Sequence, residues 1–191
     1  MRRLSAPLAT GAALLAAVGM LAASGGTALF QYVSEAGVPG SPRAGLYRAS
    51  VVLIALSLVL LAAATRVRWA APTLLLAAPF AATSAVVTCS RGCPLPPYET
   101  ATAADLVHAA ASIAALVLCC LAMLWYAVSP PGSALRTAGR AGLAIVVPLL
   151  GLAGAAMVFV GRGTLAGVLE RIALVAASAW LITTAALHTR A

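Results

Sequence analysis

The sequence predicts an all-α protein, a polytopic membrane protein built as a six-transmembrane-helix bundle with short loops, and three observations carry that reading. Of the 191 residues, 63% are hydrophobic and only 8% charged, against about 25% charged in a typical soluble domain. Mean hydropathy is +1.05. Apolar runs recur at the length of about 20 residues that a helix needs to cross the hydrocarbon core. No polar stretch between them is long enough to fold separately, so residues 1–191 read as a single domain.

The first span, 7–33, follows Arg2 and Arg3. Those arginines could start a signal peptide, but the apolar run exceeds the roughly 7 to 15 residues of such a segment, so it is expected to stay as a helix. The second, 45–64, carries Arg48 in its outer turn; the third, 69–88, contains Pro79. The fourth, 102–128, opens with Thr102-Ala-Ala-Asp105, a capping box that also sets an acid at the positive end of the helix dipole. The fifth, 141–160, contains Pro148, and the sixth, 165–187, carries Glu170 and Arg171 in its outer turns. Charges at these ends are tolerable because arginine snorkels and the interface is far less costly than the bilayer centre. The two prolines are expected to kink their helices. Gly25 with Gly26, and Gly151 with Gly154, are expected to allow close helix approach.

All twelve basic residues are arginine and the formal charge is +8. They are scattered singly or in pairs rather than gathered on one face, so nucleic acid is not an expected partner. The positive-inside bias places both termini in the cytoplasm of a plasma-membrane protein, with loop 89–101 extracytoplasmic. On that topology Glu35, Glu99, Asp105 and Glu170, all the acids in the chain, fall on the outer side.

The segment CSRGCPLPPYETATAADLVH, residues 89–108, differs most from its surroundings. Cys89 and Cys93 lie where disulfides form. A structural staple is the leading expectation, with free thiols and a redox pair as rivals. The prolines that follow stiffen a lid over the bundle. Asp105, His108 and Ser112, at i, i+3 and i+7, form one polar stripe on the fourth helix. Polar groups inside a membrane seek the bundle interior, so the stripe reads either as a strut, with Asp105 orienting His108, or as part of a headgroup site. Pairing of Glu35 with Arg48, and of Glu170 with Arg171 or the surroundings of Asp105, would complete an outer ring. Cys119 and Cys120, deep in the fourth helix, are expected to pack as small apolar residues. His188 is expected to complement the negative end of the sixth helix.

A nucleophilic triad has these residue types, but one helix face aims them in parallel, and no flanking motif supports it. Two histidines, one near each end, make no three-histidine metal centre, which leaves only Glu99, Asp105 and His108 as a conceivable metal set; no cofactor is expected. RAGL occurs at 43–46 and 140–143, before spans that an inverted-repeat transporter would relate. Acids and bases are missing from the middle of every span, which disfavours ion-coupled transport.

YVSEAG after the first span, GLYRAS opening the second, and CSRGCPLPPYETATAADLVHAAAS leading into the fourth resemble the family called domain of unknown function 998, six-span membrane proteins of bacteria and archaea. The resemblance implies a six-helix bundle and matches Glu35, Arg48, Asp105, His108 and Ser112 to recurrent polar positions. It implies no activity. More distantly the architecture looks like eukaryotic six-span families linked to lipid organisation. The leading expectation is a non-enzymatic protein that binds membrane lipids, or another membrane protein, at an outer polar pocket. A lipid-remodelling hydrolase or transferase using Asp105, His108 and Ser112 is the alternative, and a small-solute transporter the next.

Overall fold

Alanine and leucine, the best helix formers, dominate the apolar runs, and the chain is helical wherever they do. The computed structural model describes residues 2–130 and 133–190, the side chains of Arg2 and Arg3 excepted. It contains α1 (Arg2–Ser24), α2 (Ala44–Ala64), α3 (Ala70–Val86), α4 (Ala103–Ala127), α5 (Ala134–Phe159) and α6 (Thr164–Thr189), with one 3-10 turn at Val33–Gly37. Five of the helices are long and apolar enough to cross a membrane, and α3, at 17 residues, is a shorter apolar helix.

Three boundaries differ from expectation by five residues or more, the first being the start of α1 at Arg2 instead of 7. α1 stops at Ser24 instead of running to residue 33, because Gly25 and Gly26 are poor helix formers. α5 starts at Ala134 instead of 141, because the Ser133 hydroxyl caps it by accepting from the Arg136 amide at 3.2 Å, and arginine prolongs a helix readily.

Each helix packs on the next in sequence, and α1 packs on α6, so the bundle closes into a ring. Neighbouring helices run antiparallel, as where Ala9 meets Ser57 and Gly19 meets Ser50 between α1 and α2. Both termini therefore share one end, the termini end, and Cys89 and Cys93 mark the other, the cysteine end. The core is small-residue packing around Leu58, Leu61, Leu74, Met123 and Val146. Large apolar side chains such as Leu15, Ile113 and Leu152 point outward instead, as lipid-facing residues do. Ser57 crosses from α2 to donate to the Ala9 carbonyl at 2.9 Å.

Close helix approach uses other glycines than those expected. A Cβ on Gly151 or Gly154 would meet nothing within 4 Å, so neither mediates a contact. Gly139 and Gly142 of α5 do: a Cβ on the first would strike the backbone of α4 at Met123 and Tyr126, and on the second the Trp180 ring of α6. α5 thus meets both neighbours at the termini end.

Candidate functional site at the cysteine end

Asp105 sits in the first turn of α4, is 2% exposed, and is surrounded by donors. Its carboxylate accepts from the Thr102 amide at 2.8 Å and the Thr102 hydroxyl at 2.7 Å, which is the expected cap. It also accepts from the Ser90 amide at 2.6 Å and the Ser90 hydroxyl at 3.0 Å. These two bonds tie the Cys89–Cys93 turn to the start of α4.

The rest of the stripe continues the same seam. His108 Nδ1 lies 2.8 Å from the Val87 carbonyl, which can only accept, so that nitrogen carries the proton. Ser112 donates to the His108 carbonyl at 2.9 Å, so the 2.8 Å contact between Ser84 and Ser112 takes its proton from Ser84. Asp105, His108 and Ser112 therefore meet Ser90, Val87 and Ser84 in turn, an antiparallel zipper between α4 and the end of α3. The expectation that Asp105 orients His108 is not what the chain does. Nor is a catalytic relay assembled, since the Ser112 proton goes to a main-chain carbonyl.

Cys89 and Cys93 lie within disulfide bonding distance, with Cα atoms 5.0 Å apart. Cys119 and Cys120 are free and half-buried, and pack against the main core as expected. Among the described residues no group of three histidine, cysteine or carboxylate side chains converges, and Glu99, Asp105 and His108 do not come together.

The expected pair of Glu35 with Arg48 is replaced. Arg48 gives Nε and Nη2 to the Gly37 carbonyl at 3.1 and 2.9 Å, closing the turn before α2. Glu35 instead takes a two-pronged bond from Arg162, with Nε to Oε1 at 3.1 Å and Nη2 to Oε2 at 2.6 Å. The Glu35 side chain is 5% exposed and that of Arg162 29%. The Tyr32 amide at 2.9 Å and the Gln31 amide group at 3.3 Å complete the carboxylate's shell. The bond from Glu35 raises the Arg162 pKa above its ordinary value. Arg162 also stands 5.8 Å over the Phe30 ring. It was legible only as a topology charge, because its partner lies 127 residues away.

Glu170 and Arg171 do not pair with each other as ions. Glu170 accepts from the Val33 amide at 2.8 Å, and Arg171 donates to the Gln31 carbonyl at 2.8 Å, the Thr27 hydroxyl at 2.7 Å and the Ala28 carbonyl at 3.1 Å. Together they clamp the segment after α1 onto α6. Gly167 lets them do so: a Cβ there would strike the Leu29 and Gln31 carbonyls.

Tyr32 lies among these charges and was not anticipated. It is 3% exposed, and burial pushes its phenol up to about 12, aided by the charges of Glu170 and Glu99. Glu99 itself is exposed and forms no ion pair among the described residues.

The sequence model of the family described as protein of unknown function, DUF998, matches residues 7–187. The chain belongs to the DUF998 family. No curated protein and no solved structure matches it. In this DUF998 protein the cysteine end thus has two parts: a zipper whose polar groups are mutually satisfied, and a rim in which the neutral phenol of Tyr32 lies among Glu35, Glu99, Arg162 and Glu170, with Glu99 in no ion pair among the described residues.

Proposed function

We propose that this membrane protein is a non-enzymatic lipid-binding protein, oriented with its termini in the cytoplasm, whose outward rim holds a phospholipid headgroup bearing both amine and phosphate. The observation that carries the reading is Tyr32: a nearly buried phenol flanked by Glu170, Glu99, Glu35 and Arg162. Carboxylates and an aromatic ring suit an ammonium group, and the part-exposed guanidinium of Arg162 suits a phosphate. Phe30, Tyr98 and Phe159 are exposed at the same end, where aromatic rings lodge at a membrane interface. The zipper of Asp105, His108 and Ser112 braces this rim from below.

The test is the lipid retained by the purified protein, read by native mass spectrometry. Phosphatidylethanolamine enriched over the membrane average in wild type, and lost in Glu99→Gln and Tyr32→Phe, supports the reading. An identical lipid profile in all three proteins overturns it.

A further inference from the structure

The four acids of the chain, Glu35, Glu99, Asp105 and Glu170, differ in how completely the fold occupies them. Asp105 accepts four hydrogen bonds, from Ser90 and Thr102. Glu35 also accepts four, from Arg162, Tyr32 and Gln31. A carboxylate has about four acceptor sites, so neither has one left for a guest. Glu170 accepts a single bond, from the Val33 amide, and the Glu99 carboxylate accepts none among the described residues.

Neither of these last two forms an ion pair among the described residues. Arg171, beside Glu170 in sequence, directs its guanidinium to the Thr27 hydroxyl and to the carbonyls of Ala28, Gln31 and Gly167. Arg162 gives Nε and Nη2 to Glu35 and keeps Nη1. Glu170 is part-buried on α6, where a lowered dielectric strengthens its attraction for a cation. Glu99 is exposed, so its attraction is weaker and screened by salt.

The two unoccupied carboxylates flank Tyr32. That ring shares one apolar cluster with Leu95 and Leu169. Leu95 lies one turn before Glu99, whose amide bonds its carbonyl at 3.3 Å, and Leu169 immediately precedes Glu170. After burial itself, the charges of Glu170 and then Glu99 do most to hold the phenol neutral. Tyr32 is nearly buried, and its hydroxyl has no hydrogen-bond partner among the described residues. A polar group left alone in such a place is costly, so the set is incomplete without a guest.

The chemistry of the set describes that guest. Carboxylates only accept, and a neutral phenol both accepts and donates. A cation that brings N–H groups therefore satisfies Glu170, Glu99 and Tyr32 together. A quaternary ammonium brings charge without N–H, and its sites are aromatic cages; here a single phenol stands between two carboxylates.

We infer that the rim selects its headgroup by N–H bonds, taking a primary ammonium in preference to a quaternary one, with Glu170 as the specificity-determining residue and Glu99 as its partner. This rests on the headgroup reading above and adds to it the choice among amine headgroups.

The experiment reconstitutes the full chain with equal parts of four lipids that share their acyl chains and differ only at the headgroup nitrogen: phosphatidylethanolamine, its N-methyl and N,N-dimethyl forms, and phosphatidylcholine. Retained lipid is read by native mass spectrometry. Wild type is expected to retain the four in order of their N–H count, about fivefold less for each hydrogen bond lost. Glu170→Gln keeps an acceptor for the Val33 amide. It is expected to lower phosphatidylethanolamine about fivefold and to leave phosphatidylcholine unchanged. Should Glu170→Gln fail to fold, the wild-type series carries the test alone. Equal retention of all four lipids, in a total amount that falls in Tyr32→Phe, overturns the inference and leaves the headgroup reading standing. Equal retention in an amount that Tyr32→Phe does not change overturns both. A Glu170→Gln protein with the full wild-type preference overturns the role given to Glu170.

Discussion

The two ends of the bundle handle polar groups in opposite ways. At the cysteine end, Asp105 has four donors, Glu35 has a guanidinium and two further donors, and Arg171 is spread over main-chain carbonyls. At the termini end, Tyr126, Trp180 and Thr184 are equally buried and have no such partners. The difference teaches that burial alone does not distinguish a brace from a site. The accounting of hydrogen bonds does: Asp105, Glu35 and Arg171, whose partners lie within the chain, hold the fold, whereas Glu99, in no ion pair among the described residues, and the part-exposed guanidinium of Arg162 are what the proposed headgroup site draws on.

Substitutions at the two ends should therefore differ in size. The largest effect is expected for Glu35→Ala, which strands Arg162 and the Tyr32 amide. Removing one partner of a buried ion pair costs 3–5 kcal/mol, and the part-exposed guanidinium sets the expectation at about 3 kcal/mol by chemical unfolding in detergent. Asp105→Ala should follow at about 2 kcal/mol, because the Ser90 and Thr102 amides lose their acceptor. It should also speed tryptic cleavage after Arg91, a readout of the loosened 89–101 loop.

Tyr32 sharpens the contrast through pH. Its pKa is raised from 10.0 to about 12 in the fold, so the unfolded chain loses the phenolic proton first. Stability from this group is complete below pH 10 and falls as pH rises toward 12, by about 1 kcal/mol near pH 11 relative to Tyr32→Phe. Stability difference curves for the two proteins that stay parallel across this range would remove Tyr32 from the charged rim.

Ser112→Ala, which breaks the bond to Ser84, should cost about 0.6 kcal/mol, the usual size of an interhelical hydrogen bond in a membrane. Thr184→Val at the termini end should cost the least: within about 0.5 kcal/mol of wild type in lipid-free detergent, since its hydroxyl has no partner to lose. A Thr184→Val cost matching that of Asp105→Ala would erase the distinction between the ends.

Much of this architecture was legible. Apolar runs of membrane length marked the helices, Thr102 and Asp105 marked the start of α4, and the spacing of Cys89 and Cys93 marked the turn before it. The end of α1 and the start of α5 moved for local reasons, Gly25 and Gly26 at one and the Ser133 cap at the other. The candidate site was half legible: i, i+3 and i+7 spacing showed that Asp105, His108 and Ser112 share a face, but not that Ser90, Val87 and Ser84 would meet them. Arg162 was invisible as a site residue because nothing near it in sequence names Glu35.

The sequence by itself determined membrane residence, the helical class and the segregation of every acid to one side of the predicted topology. These follow from composition and from periodicities of a few residues, which act within a single helix. Only the tertiary structure decided which charges pair, which glycines let helices meet, and which polar atoms are left over. Those depend on closure of the ring, which brings α6 against α1 and sets the Tyr126 ring between Trp180 and His188; they are properties of neighbours distant in the chain.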